Sequence, residues 1–251
     1  RRIWTEREDE ISDHAPRTAV CGPGDKFIVH NGKFVSINWD KVVLWDEEDG
    51  LACKDGSYTS YAGKPDRKPH FFVNHWDVCL SAESCASVLN KRGISVHFCI
   101  DNDGTIYQLL DTQHAAWHAG GRTWNHDSIG VEISNAFYPK YQSWYERKGF
   151  GSRPVNAKGV VKCHDRGLEE HLGFYDEQLE ALKELWVAIN ESNDIPLECP
   201  TNPDGSLVEG VDRDCETSKF KGFINHYNLT KRKIDCAGLD LVKLLKECQE
   251  T

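Results

Sequence analysis

Methionine is missing from all 251 residues, and no apolar run approaches the roughly 18–20 residues that span a bilayer. The second absence excludes a transmembrane helix. The first, together with an Arg1-Arg2-Ile3-Trp4 opening that holds no leader-like apolar stretch, points to a removed leader or a processed form. Positive charge is also in short supply, since 30 Lys and Arg face 40 Asp and Glu for a net charge of −10. That balance excludes the basic field that nucleic acid requires, and it leaves any attraction to an anionic cell wall to local contacts. The His-Glu-x-x-His zinc pattern is missing as well, because His164 and His171 have the wrong spacing. Cysteine, by contrast, is plentiful. An even count of ten favours an oxidising destination with disulfides over reduced thiols buried as small apolar groups. Cys79 with Cys85, and Cys199 with Cys215, are the expected local bridges. With 39% hydrophobic and 28% charged residues, the chain can bury one sizeable core, with room for a small appendage.

The chain is organised around Phe71-Phe72-Val73-Asn74-His75-Trp76-Asp77. The apolar run after Lys68-Pro69 predicts a buried strand that ends in a histidine where it leaves the core. Gly222-Phe223-Ile224-Asn225-His226 repeats the device. Nine residues beyond His226, Asp235 offers a carboxylate. Two imidazoles and one carboxylate make a three-ligand set with an open fourth position, as in a catalytic zinc site. Two unrelated histidines at strand ends are the alternative. Ser128 to Ser134 predicts another strand, with Ile129, Val131 and Ile133 on one face and Glu132 on the other. A carboxylate there is expensive to bury alone. Its partner is either a basic side chain or a water on a metal, and the residues leave both open.

Elsewhere, Asn31-Gly32 between Lys26–His30 and Phe34–Ile37 predicts a hairpin, with Val42–Trp45 as a possible third strand. Residues 1 to about 20 read as an irregular arm, and 46–69 as a loop or linker. His14 and His30 read as surface residues. A helix is expected from Ser81 to Arg92 with Cys85, Val88 and Leu89 inward, ended by Gly93. Ser95–Ile100 and Thr105–Leu109 flank a turn at Asp101-Asn102-Asp103-Gly104, with Val96, Phe98 and Ile100 on one face and Ser95, His97 and Cys99 on the other. Residues 111–127 read as a loop whose Trp117 and His118 line a cleft. Residues 136–175 read as a long aromatic-rich excursion able to line a groove for a sugar. A helix capped by Asp176 carries Leu179, Leu182, Leu185, Trp186 and Ile189 inward. A last helix spans Leu239 to Cys248. Glycosylation sequons stand at Asn190 and Asn228, the second too close to the proposed metal site to be used.

In this order FFVNHWD, SVHFCIDNDGTIYQ, AWHAGG with Asn125, SIGVEIS, FINH and KIDCAG resemble the zinc-dependent N-acetylmuramoyl-L-alanine amidases, whose fold is shared with peptidoglycan recognition proteins. The resemblance covers roughly residues 70 to 251. It implies an α/β fold, with a mixed central sheet flanked by helices and a small N-terminal β extension over 1–69. It also implies one zinc ion on His75, His226 and Asp235, with Glu132 as the catalytic carboxylate and Lys233 as the oxyanion-stabilising base. Trp117, His118, Asn125 and His97 are the expected substrate-contacting residues. Cys236 departs from the usual Asp-Pro-Gly or Cys-Pro-Gly and competes with Asp235, which is preferred because it keeps the Lys-x-ligand spacing. The Cys79–Cys85 pair resembles a short disulfide of the recognition proteins.

The activity implied is hydrolysis of the amide between N-acetylmuramic acid and L-alanine in peptidoglycan or a muropeptide, in an extracellular, periplasmic or phage-delivered setting. Zinc would lower the pKa of water to about 7, and Glu132 would move its proton. Three alternatives stand beside it: a non-catalytic peptidoglycan-binding module of the same fold, a structural component of a larger particle, and a cysteine-nucleophile peptidase. No oligomeric state follows from the sequence.

Overall fold

The computed structural model describes residues 25–250 in full. Before them it describes only the backbone pairing of Arg2–Ile3 with Val20–Cys21. The rest of the expected N-terminal arm, His14 included, lies outside the described residues. The hairpin forms between β1 (Phe27–His30) and β2 (Lys33–Ser36). Its two-residue turn has φ of 50° at Asn31 and 67° at Gly32, the conformation this dipeptide tolerates best. β3 (Val42–Leu44) does not extend the hairpin. It lies parallel to β6 (Ile106–Gln108) at the edge of the central sheet.

Six strands make that sheet. β4 (Phe71–Trp76), β5 (Phe98–Ile100), β7 (Ser128–Ile133) and β8 (Gly222–Asn225) stand with β6 and β3 in the order β8-β4-β7-β5-β6-β3. β8, β4, β7 and β5 run parallel to one another, and β5 and β6 form the antiparallel hairpin across the Asp101–Gly104 turn. Parallel strands are covered on both faces, and all six residues of β4 are buried. One face packs on α2 (Asp176–Asn193), α3 (Leu241–Gln249) and the hairpin, whose Ile28 and Val29 are wholly buried in this main core. Here the rings of Phe72 and Trp186 pack at a tilt against Phe223, with centroids 5.4 and 5.5 Å from it. Aromatics of this kind each contribute about 3–5 kcal/mol. The other face is covered by α1 (Ala82–Arg92) and the loops after β6.

Several expectations are corrected. Cys85 and Leu89 on α1 point inward at i, i+4, but Val88 falls off that stripe and is 40% exposed. The alternation over 95–100 breaks at a bend at His97, so Val96 joins Cys99 in the second cluster rather than Phe98 and Ile100 in the first. α2 begins after Tyr175, with Asp176 in its first turn rather than at the cap. Residues 136–175 are no mere excursion. Arg153 is buried between the rings of Tyr145 and Tyr175, 4.3 Å from each centroid, and donates to Ser134 O, Gly173 O, Gln178 Oε1 and Asn102 Oδ1. All nine described cysteines carry free thiols; those of Cys79 and Cys85 touch without being joined, and Cys199 and Cys215 are likewise unjoined. Asn228 is fully buried and donates to Val208 O and Gly210 O, which leaves its sequon no room for a glycan. No helix among the described residues is long and apolar enough to cross a membrane.

Candidate active site

Strand register assembles the site. Glu132 on β7 lies directly beside His75 on β4, and Asn225 on β8 pairs with Asn74, so the next residue, His226, emerges alongside His75. Asn74 earns its place inside the sheet by pairing fully, donating to Ile224 O at 2.9 Å and accepting from Trp186 Nε1 at 3.1 Å. After a turn of 3-10 helix over His226–Asn228, the chain returns at Asp235. The Nδ1 atoms of His75 and His226 are 3.0 Å apart, and Asp235 Oδ2 lies 3.0 and 3.3 Å from them. All three residues are buried. Cys236 turns away into the core and is fully buried there.

The far side of each imidazole decides what that triangle can be. His226 Nε2 faces Ala119 O at 3.2 Å and can only donate to it, which leaves a lone pair on Nδ1. Ser128 Oγ donates to Trp124 O at 2.6 Å, so its contact with His118 Nε2 at 3.0 Å must be one in which the hydroxyl accepts. His118 Nδ1 then accepts from His75 Nε2 at 2.8 Å, and His75 Nδ1 also carries a lone pair. Three acceptor atoms thus converge with no hydrogen between them. A cation relieves that arrangement, and tetrahedral ligands at about 2.0–2.1 Å from a metal stand about 3.3 Å apart. The donor set fits a divalent ion.

Glu132 completes the constellation. Its Oε2 is buried with no hydrogen-bond partner, an arrangement that costs about 1–3 kcal/mol. Burial first, and then the charge of Asp235, hold its carboxyl well above the usual carboxylate range; Lys233 opposes the shift. Burial and then the neighbouring His226 press His75 down to about 4. Burial likewise keeps His97 and His118 well below the histidine norm, with Arg67 adding to both.

A folded value of about 4 against 6.5 for a free histidine means that the unfolded chain binds more protons between those limits. Stability of the chelator-treated protein is therefore present above 6.5 and lost as pH falls toward 4. His75 alone accounts for a loss on the order of 3 kcal/mol. Urea unfolding at pH 7 and pH 4.5 measures it, and equal midpoints would refute the neutral, buried state of this ring.

The triangle and Glu132 open on a cleft of about 540 Å³, whose lining includes Trp117, Asn125, Tyr138, Arg232 and Lys233. Lys233 is exposed at its rim, and its carbonyl accepts from His164 Nε2 at 2.8 Å. Trp117 borders the cleft and donates through Nε1 to Thr59 Oγ1 at 3.0 Å. Of the other expected substrate contacts, His118 and Asn125 also line the cleft, and His97 is the exception. His97 does not reach the cleft: it is wholly buried, accepting from Gly130 N at 3.1 Å and donating to His114 O at 2.7 Å. Both ring nitrogens of His118 are engaged as described, and Asn125 Oδ1 accepts from the His118 and Ala119 amides at 3.2 and 2.8 Å. Beneath them lies Arg67, buried and donating to six backbone carbonyls, those of Thr112, Gln113, His114, Asn125, His126 and Ser128. Sequence reasoning passed over Arg67, and its place after a proline-bearing loop gives no signal of burial.

Fold and site together define a mixed α/β protein with three convergent side chains able to hold a metal ion, beside a carboxylate with a buried, unpartnered oxygen. A sequence model described as N-acetylmuramoyl-L-alanine amidase matches residues 65–233, and the chain belongs to that family of amide hydrolases. No curated protein matches the chain. Among solved structures, a selenomethionine derivative of AmpD is similar at 16% identity, over 80% of this chain and 95% of its own, with a TM-score of 0.43. AmpDH3 from Pseudomonas aeruginosa, in complex with anhydromuramic pentapeptide, is 18% identical over 79% of this chain and 66% of its own, at a TM-score of 0.45. The endolysin LysCS from Clostridium intestinale, an N-acetylmuramoyl-L-alanine amidase, is 15% identical over 76% and 84%, at 0.40.

Proposed function

We propose that this chain hydrolyses the amide between the lactyl group of N-acetylmuramic acid and L-alanine in bacterial peptidoglycan or its muropeptides. The observation that carries the reading is the triangle of three lone pairs set beside the unpartnered oxygen of Glu132. His75 Nδ1, His226 Nδ1 and Asp235 Oδ2 would hold one zinc ion, which supplies Lewis acidity when bound, acidifying water and polarising a carbonyl. Glu132 takes a proton from the attacking water as the C–O bond forms. It returns that proton to the amide nitrogen as the C–N bond breaks, releasing the lactyl carboxylate and a free amine. Its raised affinity for a proton suits a group that must hold one between the two steps. Lys233 sets a positive charge at the cleft rim against the oxyanion that develops on the carbonyl oxygen.

Trp117 and Tyr138 flank the cleft as flat apolar surfaces for sugar or peptide. Residues 70–250 carry the chemistry, and the described residues 25–69 pack against them. The place of action is wherever the wall or its fragments are found.

Incubating the protein with a defined N-acetylmuramoyl pentapeptide is expected to yield free muramic acid carboxylate and an intact peptide with a new L-alanine amino terminus. The reaction stops on chelation and is indifferent to a thiol alkylator. Mass analysis reads the products. Cleavage elsewhere in the stem, or turnover that a chelator leaves untouched, defeats the assignment. Binding without any cleavage would favour a recognition module on the same fold.

A further inference from the structure

The motif Trp117-His118-Ala119 with Asn125 has no evident part in the proton transfers, yet it touches both imidazoles of the triangle. His118 Nδ1 meets His75 Nε2 at 2.8 Å, and Ala119 O meets His226 Nε2 at 3.2 Å. One dipeptide therefore faces the rear of each ring. Two bonds from consecutive amides to Asn125 Oδ1 hold it in place.

We propose that the His118–Ala119 segment, pinned by Asn125, is the tautomer clamp of the metal centre: it forces the proton of both imidazoles onto Nε2 and so presents both Nδ1 lone pairs to one cation. This inference rests on the metal-dependent reading above and gives His118 and Asn125 a positioning role in place of substrate contact.

The direction of every proton in the His75 arm follows from one hydroxyl. Ser128 has a single hydrogen and gives it to Trp124 O at 2.6 Å. It therefore accepts from His118 Nε2 at 3.0 Å, which frees His118 Nδ1 to accept in turn from His75 Nε2. The ring planes stand nearly perpendicular, 89° between His75 and His118 and 82° between His75 and His226. Each lone pair is thus aimed along the next ring's N–H or into the triangle.

Space has been cleared for this arm. A Cβ on Gly130 would lie 2.5 Å from His118 Nδ1, closer than any real contact. The glycine that interrupts the β-branched run of β7 is what lets the His118 ring lie across the strand. The same residue's amide donates to His97 Nδ1 at 3.1 Å, which seats a second neutral imidazole behind the first, with ring centroids 6.0 Å apart. Metal-ligating histidines ordinarily donate their outer N–H to a carboxylate or carbonyl. In this chain His226 follows that habit, and His75 uses a third histidine instead.

The test is zinc affinity of the full chain by competition with a chromophoric chelator, read together with long-range 1H–15N NMR of the imidazoles in the metal-free protein. Wild type is expected to bind one zinc and to show His75 and His226 as Nε2–H tautomers. His118→Leu, which keeps bulk but loses the acceptor, is expected to weaken zinc about 10–100-fold and to give His75 a mixed tautomer signal. His118→Asn puts an amide oxygen where Nδ1 stood and should recover most of that loss. Ser128→Ala leaves the ring in place but frees its orientation; it should fall between wild type and His118→Leu, and it decides the matter if His118→Leu does not fold. An Nδ1–H signal from His75 in wild type, or unchanged zinc affinity in both His118→Leu and Ser128→Ala, overturns the clamp. Failure of wild type to bind zinc at all overturns instead the metal-dependent reading beneath it.

Discussion

Glu132→Gln is expected to cut kcat on a defined muropeptide by about 10²–10⁴-fold while zinc remains bound at one per chain. The amide fills the same slot between β4 and β5, but it can neither take a proton from water nor hand one to a leaving amine. Because the proton moves only in the transition state, kcat and kcat/KM should fall together and KM should stay near wild type. Stability should hold or rise. The wild-type carboxyl is pressed toward its neutral form by burial and by the charge of Asp235, and the variant removes a group that resists ionising there. Steady-state kinetics, metal analysis and a thermal melt on the same preparation separate these effects. A variant that keeps wild-type turnover would show that another group moves the proton.

Asp235→Asn should remove metal and activity at once. The carboxylate oxygen sits 3.0 and 3.3 Å from the two Nδ1 atoms and supplies the only formal negative charge in the triangle. An amide in its place is a neutral, weak ligand, so zinc retained after desalting is expected to fall below about a tenth of wild type. Activity should track zinc content and return partly with excess zinc. A second consequence lies nearby: the charge that helps hold the Glu132 proton disappears, so the carboxyl of Glu132 should ionise more readily in this variant. Full zinc occupancy in Asp235→Asn would mean that another group, with Cys236 the nearest in sequence, can complete the site.

The convergence of His75, His226 and Asp235 was legible in the sequence because each sits at a place where local pattern changes: an apolar run ends in Asn-His twice, and a lysine stands two residues before the aspartate. Glu132 was legible for a related reason, since a charge inside a β-branched strand contradicts its surroundings. Period-two alternation says which face a residue occupies but not how deep it lies. His97 was expected to contact substrate, yet its face of the sheet is covered by the loop over 112–117. The role of His118 could not be read either. Its partners lie 43 residues back and 10 ahead, on two strands whose register only the folded sheet fixes. Arg153 shows the same limit from another side. An arginine among glycines and prolines reads as exposed loop, whereas two tyrosine faces and four carbonyl or amide oxygens close around it. The third strand was anticipated, but its partner was not. Short strands carry no mark of which edge they will join, and β3 reaches across to β6.

Arg67 has a bearing on how this protein can be cut. Its guanidinium ties the carbonyls of Thr112, Gln113 and His114 to those of Asn125, His126 and Ser128, the two ends of the turn that bears His118 and Ala119. A recombinant fragment started at the first residue of β4 would omit that cross-brace. It would take the guanidinium from six inward-facing oxygens, of which that of His114 keeps His97 as a donor, and the hinge behind the two histidines would slacken although all three residues of the triangle were still encoded. Whoever trims this protein to its smallest active piece should begin upstream of residue 67.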